Sequence, residues 1–298
     1  MAGLVGVRAV NAGDGRTLAY EEIGDPSGAP IFMIHGTPGC RLSGRHPEPS
    51  LVSAAGLRLI GYDRPGYGRS GRHRGRTVVD CVGDVAAIAD ELGVDRFAVI
   101  GVSGGGPHAL AIAARLPERV TRVACVVGFA PHDADDLDWF AGMYPVNVTE
   151  YGWAHDGEGR LAGEIRRKAQ EWLAKVDDDP TAVLDDLHLS ESDRAVLNDR
   201  GVRGTFRAAT REMFAHGAWG WVDDDLAFTR PWGFDVSELR VPVEIHYGVT
   251  DVLVPAAHGK WLAAHIPHAA VAIDEHGGHM HSPQQRLDML RALADAAA

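Results

Sequence analysis

Three cysteines, Cys40, Cys81 and Cys125, are too few, too widely spaced and odd in number for a disulfide framework. That usage fits a reducing compartment. No run of eighteen apolar residues occurs, and the opening MAGLVGVRAVNAGDG lacks the apolar stretch behind a basic start that marks a secretory leader. A cytoplasmic chain without membrane association is expected. Cations are also in short supply: 29 Lys and Arg stand against 41 Asp and Glu, a net charge of −12. This disfavours a nucleic-acid partner, whose binding relies on clustered positive charge. The acidic excess gathers in Asp177 to Asp179, Asp185 with Asp186, and Asp223 to Asp225, runs expected to be solvated faces or helix N-termini. Fixed-period repeats and low-complexity tracts are missing too.

What is present is ordinary globular material, 45% apolar and 23% charged, enough to bury a sheet on both faces. Short runs rich in Val, Ile and Phe alternate with longer segments of helical spacing, the pattern of a parallel sheet. Strands are expected at Ile31 to Ile34, Leu57 to Tyr62, Phe97 to Val102, Val120 to Val127, Val243 to Tyr247 and Ala270 to Ile273. Before them, Gly6 to Asn11 and Thr17 to Ile23, joined through Asp14-Gly15, read as an antiparallel hairpin at one edge. Val78 to Leu92 carries a helical apolar stripe that Gly93 ends. From Pro131 to Phe234 the rhythm changes to helical patterns without a buried strand. Six of the seven tryptophans fall there, and Trp139, Trp219 and Trp221 are candidates for the wall of an apolar pocket. The domain reading is a core of residues 1–130 and 235–298 with a helical cap at 131–234.

Gly101-Val102-Ser103-Gly104-Gly105 sits where a buried strand meets the helical run Pro107 to Leu116. A sharp strand-to-helix turn there strains the serine and leaves no room for bulk two residues either side, a need that the glycines meet. His35-Gly36-Thr37-Pro38-Gly39 follows the strand Ile31 to Ile34, so the backbone N–H groups of Thr37 and Gly104 can form an oxyanion hole. His35 itself is expected to hydrogen-bond the loop. A serine hydroxyl needs a base, and the base needs a partner that fixes its tautomer. The candidates are His279, in the loop Asp274-Glu-His-Gly-Gly-His279 with His276 and His281 as competitors, and Asp251, with Asp133, Asp135 and Asp136 as runners-up. The three histidines lack a fourth ligand at matching spacing, so no metal is expected.

These motifs, with Tyr62-Asp-Arg-Pro-Gly-Tyr-Gly-Arg-Ser70 and Asp251-Val-Leu-Val-Pro255 between them, resemble those of the α/β-hydrolase superfamily across nearly the whole chain. The resemblance implies the α/β-hydrolase fold, a mostly parallel central sheet flanked by helices with a helical cap insertion. It implies a structural role for Asp63 and a triad of Ser103, Asp251 and His279 in that chain order. Haloalkane dehalogenases and epoxide hydrolases carry an aspartate where Ser103 stands, so their chemistries are not implied. Proline iminopeptidases are similar around His35 to Gly39 but usually have Gly in place of Thr37 and Trp in place of Gly104. The chain is more similar to uncharacterised bacterial hydrolases with a Ser-Gly-Gly-Gly-Pro elbow, as in Ser103 to Pro107. The expected activity is carboxylesterase-like hydrolysis of a small acyl compound, without a cofactor. An amidase or aminopeptidase and a non-catalytic ligand-binding protein are the rival readings.

Overall fold

The computed structural model describes residues 6–295, apart from the side chains of Val183, Asp185 and Asp186. Eight strands form one sheet: β1 (Arg8–Asn11), β2 (Thr17–Gly24), β3 (Ala29–Ile34), β4 (Leu57–Tyr62), β5 (Phe97–Val102), β6 (Val120–Val126), β7 (Val243–Gly248) and β8 (Ala270–Asp274). Their order is β1-β2-β4-β3-β5-β6-β7-β8. β1 and β2 make the expected hairpin, with Arg8 opposite Tyr20, and β2 runs antiparallel to β4. All further pairings are parallel. The hairpin turn follows from its chemistry: Asp14 accepts the N–H of Arg16, and Gly13 and Gly15 take positive φ.

Period-two alternation divides the sheet between two cores. Phe32 and Ile60 face a cluster with Val85, Ile88 and Leu110, whereas their neighbours Ile31 and Leu59 face one with Val52, Leu287 and Leu290. The helices covering the first face include α2 (Cys81–Glu91) and α3 (Gly105–Arg115), and those covering the second are α1 (Pro49–Ala54) and, at the chain's end, α10 (Pro283–Asp295). The expected stripe from Val78 begins as a 3-10 turn, Val78–Asp80, which Thr77 and Asp80 cap reciprocally before α2 starts. β8 differs from the inner strands. It lies at an edge with Val271 and Ile273 exposed.

Between β6 and β7 the chain forms α4 (Pro145–Asp156), α5 (Glu158–Lys175), α6 (Glu191–Leu197), α7 (Arg200–Met213) and α8 (Trp219–Phe228), and no strand among the described residues. α9 (Ala256–His265) follows β7. Among the described residues no helix is long and apolar enough to cross a membrane.

The acidic runs divide. Asp177 and Asp178 are exposed as expected, and Asp179 caps Thr181 and pairs with Arg203. The side chains of Asp185 and Asp186 lie outside the described residues. Asp223, Asp224 and Asp225 correct the expectation, for all three are buried on α8, which is covered all round. Successive helical residues point about 100° apart, so each carboxyl meets a different partner. Asp223 takes a two-pronged bond from Arg72 at 2.8 Å, Asp224 meets Arg64 and Arg76 at 2.5 and 2.6 Å, and Asp225 faces Glu150. The arginines lie some 150 residues earlier in the chain, and local charge patterning carries no trace of them.

Candidate active site

Ser103 occupies the turn from β5 to α3 with φ at +54°, a left-handed conformation that costs a non-glycine residue about 1–3 kcal/mol. Hydrogen bonds from Ser103 N–H to Val126 and from Gly106 N–H to the Ser103 carbonyl hold it there, both at 2.8 Å. The flanking glycines are sterically required: a Cβ on Gly101 would strike the Gly105 carbonyl, and one on Gly105 would strike that of Ile34. Gly104 is the N-cap of α3, so its N–H has no intrahelical acceptor. A Cβ on Gly104 would run into Thr37 Oγ1, so the Thr37 side chain packs directly against Gly104.

The loop after β3 is held by a buried network that sequence reasoning did not foresee. Thr37 Oγ1 donates to Asp224 at 2.6 Å, and Tyr67 donates to the same carboxylate at 2.9 Å. Arg64 donates to the carbonyls of His35 and Gly36 and to Thr37 Oγ1. Burial pushes the Asp224 carboxyl up, but Arg64 and Arg76 overcome it and hold the group well below the usual carboxylate range. His35 has the loop-binding place expected of it: Nε2 accepts the N–H of Arg64, and Nδ1 faces the Gly36 carbonyl. Asp63 pairs with Arg41 at 2.5 Å and accepts the backbone N–H groups of Arg41 and Arg69, which makes it a loop organiser.

The structure brings His279 and Asp251 together. Nδ1 of His279 lies 2.7 Å from Asp251 Oδ2, and the other carboxylate oxygen accepts the N–H groups of Leu253 and Val254 at 2.8 and 2.9 Å. Burial lowers the imidazole's pKa, yet the Asp251 charge and hydrogen bond outweigh it and leave His279 above the ordinary histidine value. With Nδ1 facing the carboxylate, Nε2 is the basic nitrogen. His276 is exposed, and burial together with the neighbouring His279 pushes His281 down to about 4. Asp133, Asp135 and Asp136 are exposed, and Asp136 accepts from Trp261 instead. One acid escaped the sequence reading. Asp193 on α6 is fully buried and accepts the N–H of Met280 at 2.6 Å, pinning the residue that follows His279. As the third residue of a short helix capped by Ser190, it carries a sequence signal only of capping.

Thr37, Ser103, Gly104 and His279 line one cavity of about 500 Å³ that extends between the sheet edge and α4, α5, α7 and α8. The tryptophans correct the sequence reading in part. Trp221 lines this cavity, as does Trp172, which was not among the three candidates. Trp139 is buried elsewhere: its indole donates to the Ala130 carbonyl, and its ring packs on Phe129, Tyr151 and His258. Trp219 borders a separate hollow near Phe214 and carries Arg72 on its face at 3.8 Å. Helical patterning gave no means of separating the pocket face from the packing face. All three cysteines are buried thiols, with Cys125 pushed up to about 12 by burial.

Residues 29–157 match the family model described as alpha/beta hydrolase fold. A proline iminopeptidase of Xanthomonas citri is 32% identical over 48% of this chain, and that match spans only 45% of the relative's length. A second proline iminopeptidase, from Xylella fastidiosa strain Temecula1, is 32% identical over 95% of this chain and 93% of its own. Among solved structures, an esterase of Thermogutta terrifontis superposes with a TM-score of 0.68 at 21% identity, covering 98% of this chain and 97% of that one. The sheet order, the strained strand-to-helix turn and a full-length relative agree: the chain belongs to the α/β-hydrolase fold family.

Proposed function

We propose that the protein is a serine hydrolase that cleaves an ester or similar small acyl compound through an acyl-enzyme intermediate. The observation that carries this reading is the juxtaposition, on one cavity, of a left-handed Ser103 and a His279 whose Nδ1 is held by Asp251. Ser103 Oγ attacks the acyl carbon while Nε2 of His279 takes its proton. The oxyanion meets the N–H groups of Thr37 and Gly104, each of which is worth about 3 kcal/mol of barrier. The imidazolium then protonates the leaving group, the carbon–oxygen bond breaks, and the alcohol departs. Water repeats the sequence: His279 deprotonates it, the tetrahedral intermediate collapses, and Ser103 Oγ regains the proton as the acid leaves. Asp251 fixes the tautomer throughout, and no step needs a cofactor. Residues 131–234 act as a cap over a core of residues 1–130 and 235–298.

A second reading is favoured by the two proline iminopeptidase relatives: cleavage of an amide after an amino-terminal residue. Thr37 and Gly104, where that family usually has Gly and Trp, speak for the ester reading. Rates on p-nitrophenyl esters and amino-acid anilides separate the two, and faster anilide hydrolysis would reverse the preference. Ser103→Ala is expected to abolish labelling by a fluorophosphonate probe while the circular dichroism spectrum stays that of the wild type. Labelling that persists in this variant would remove Ser103 as nucleophile.

A further inference from the structure

Two acids hold the loop that carries His279. Asp251, in the loop after β7, meets Nδ1 of the ring at 2.7 Å. Asp193 comes from α6, in the segment between β6 and β7. Its Oδ1 accepts the N–H of Met280 at 2.6 Å, a charge-assisted bond to the peptide group that joins His279 to Met280. Its Oδ2 lies against the backbone of Gly278, where a Cβ would come within 2.2 Å of that oxygen and 2.5 Å of Ser190 Oγ, so only glycine admits α6 this close. Asp193 thus touches the residue before His279 and the residue after it.

What Asp193 lacks is a cation. It is fully buried, it forms no ion pair with a lysine or arginine among the described residues, and Oδ2 has no hydrogen-bond partner. A buried carboxylate without a counter-charge is costly to keep, and its presence calls for a reason. The charge that arises beside it is the imidazolium of His279, formed each time the base takes a proton. Few charged or titratable groups reach that ring: Asp251 from the loop after β7, Asp193 from α6, and His281 two residues on, which burial and its neighbours push down to about 4. We propose that Asp193 is a positioning residue for the base: from α6 it fixes the backbone on either side of His279 and supplies a second negative charge that stabilises the imidazolium. The proposal rests on the serine-hydrolase reading, in which His279 is that base.

Two variants divide the roles. Asp193→Asn keeps an oxygen for the Met280 N–H and removes the charge, whereas Asp193→Ala removes both. On a p-nitrophenyl ester, Asp193→Asn is expected to move the acid-side midpoint of kcat/KM to lower pH and to lower kcat several-fold. Asp193→Ala should lower kcat by about tenfold to a hundredfold, as misplacement of a reacting group does. KM should change much less, because Asp193 does not line the cavity. A merely structural Asp193 would lower the urea midpoint of both variants and leave the pH midpoint and the kcat of the folded enzyme where they were, which overturns the proposal. If Asp193→Ala does not fold, Asp193→Asn decides alone. The His279 imidazole is also titrated directly by NMR, its signal identified by its loss in His279→Gln. A titration that moves to lower pH in Asp193→Asn supports the pairing even if no ester is hydrolysed, an outcome that removes the serine-hydrolase reading alone. An unmoved titration overturns the proposal even in an active enzyme.

Discussion

His279 and Asp251 show what a local motif conveys. Each follows a strand readable from its own residues, and the chain order of serine, acid and base leaves few candidates, so the pair was legible before any coordinate. Asp193 and Asp224 were not, because their contacts come from burial beside groups far away in sequence. The pairing has a pH consequence whose sign can be worked out. A base must be neutral to act, and Asp251 raises the pKa of His279 above its ordinary value near 6.5. Activity, followed as kcat/KM, is therefore expected to rise with pH through a midpoint above that value and to be lost on the acid side. Asp251→Asn removes the charge that raises it. Burial is then opposed only by the lesser pull of the Asp193 charge, the midpoint moves down, and turnover falls by a factor on the order of 10⁴ as the tautomer is lost. A pH–rate profile with an unmoved midpoint would detach Asp251 from His279. A fall in turnover of less than about tenfold would do the same.

At the scale of elements, the strands were legible to within a residue or two because β5 is covered on both faces and reads as a continuous apolar run, and β6 ends in one, Val123-Ala-Cys-Val126. α8 was not. Its sequence, Trp219-Gly-Trp-Val-Asp-Asp-Asp-Leu-Ala-Phe228, combines an acidic run with large aromatics, and the run reads as a solvated face until the opposing arginines are in place. This helix ties the loop after β3 to the segment joining β6 to β7, since Asp224 binds Thr37, Arg64, Arg76 and Tyr67 at once. Asp224→Ala leaves two buried guanidinium groups unpaired and is expected to cost about 3–5 kcal/mol in urea unfolding. Asp177→Ala, at an exposed pair with Arg211, should leave the midpoint where it was. Because the folded pKa of Asp224 lies far below its unfolded value of about 3.9, its contribution is present above that pH and declines as pH falls below it. A loss under about 1 kcal/mol for Asp224→Ala would mean that solvent reaches the network.

At the scale of the whole molecule, the residues proposed for the chemistry and those proposed to select the acyl group lie on different parts of the chain. Ser103, Asp251 and His279 follow strands of the sheet, whereas much of the cavity wall comes from helices between β6 and β7, where Trp172 and Trp221 pack on one another with ring centroids 5.4 Å apart. Acyl-chain preference should therefore follow the helical wall. Trp172→Ala is the cleaner probe, because Trp221 also holds Glu150 by its indole. Removing the Trp172 ring lengthens the space open to an acyl chain, and the kcat/KM ratio of long to short p-nitrophenyl esters is expected to rise by an amount worth about 1–3 kcal/mol. Trp139 supplies the contrast. It does not line the cavity itself but is buried behind the wall residues Phe129 and Tyr151, packed also on Phe140 and His258, so Trp139→Ala should destabilise the fold by about 3–5 kcal/mol and shift the ester ratio of the folded fraction far less than Trp172→Ala does. The two variants together decide the matter. If Trp139→Ala shifts the ratio as far as Trp172→Ala does, selectivity is a property of overall packing; if only Trp172→Ala shifts it, the helical wall sets the acyl group while the sheet edge supplies the chemistry.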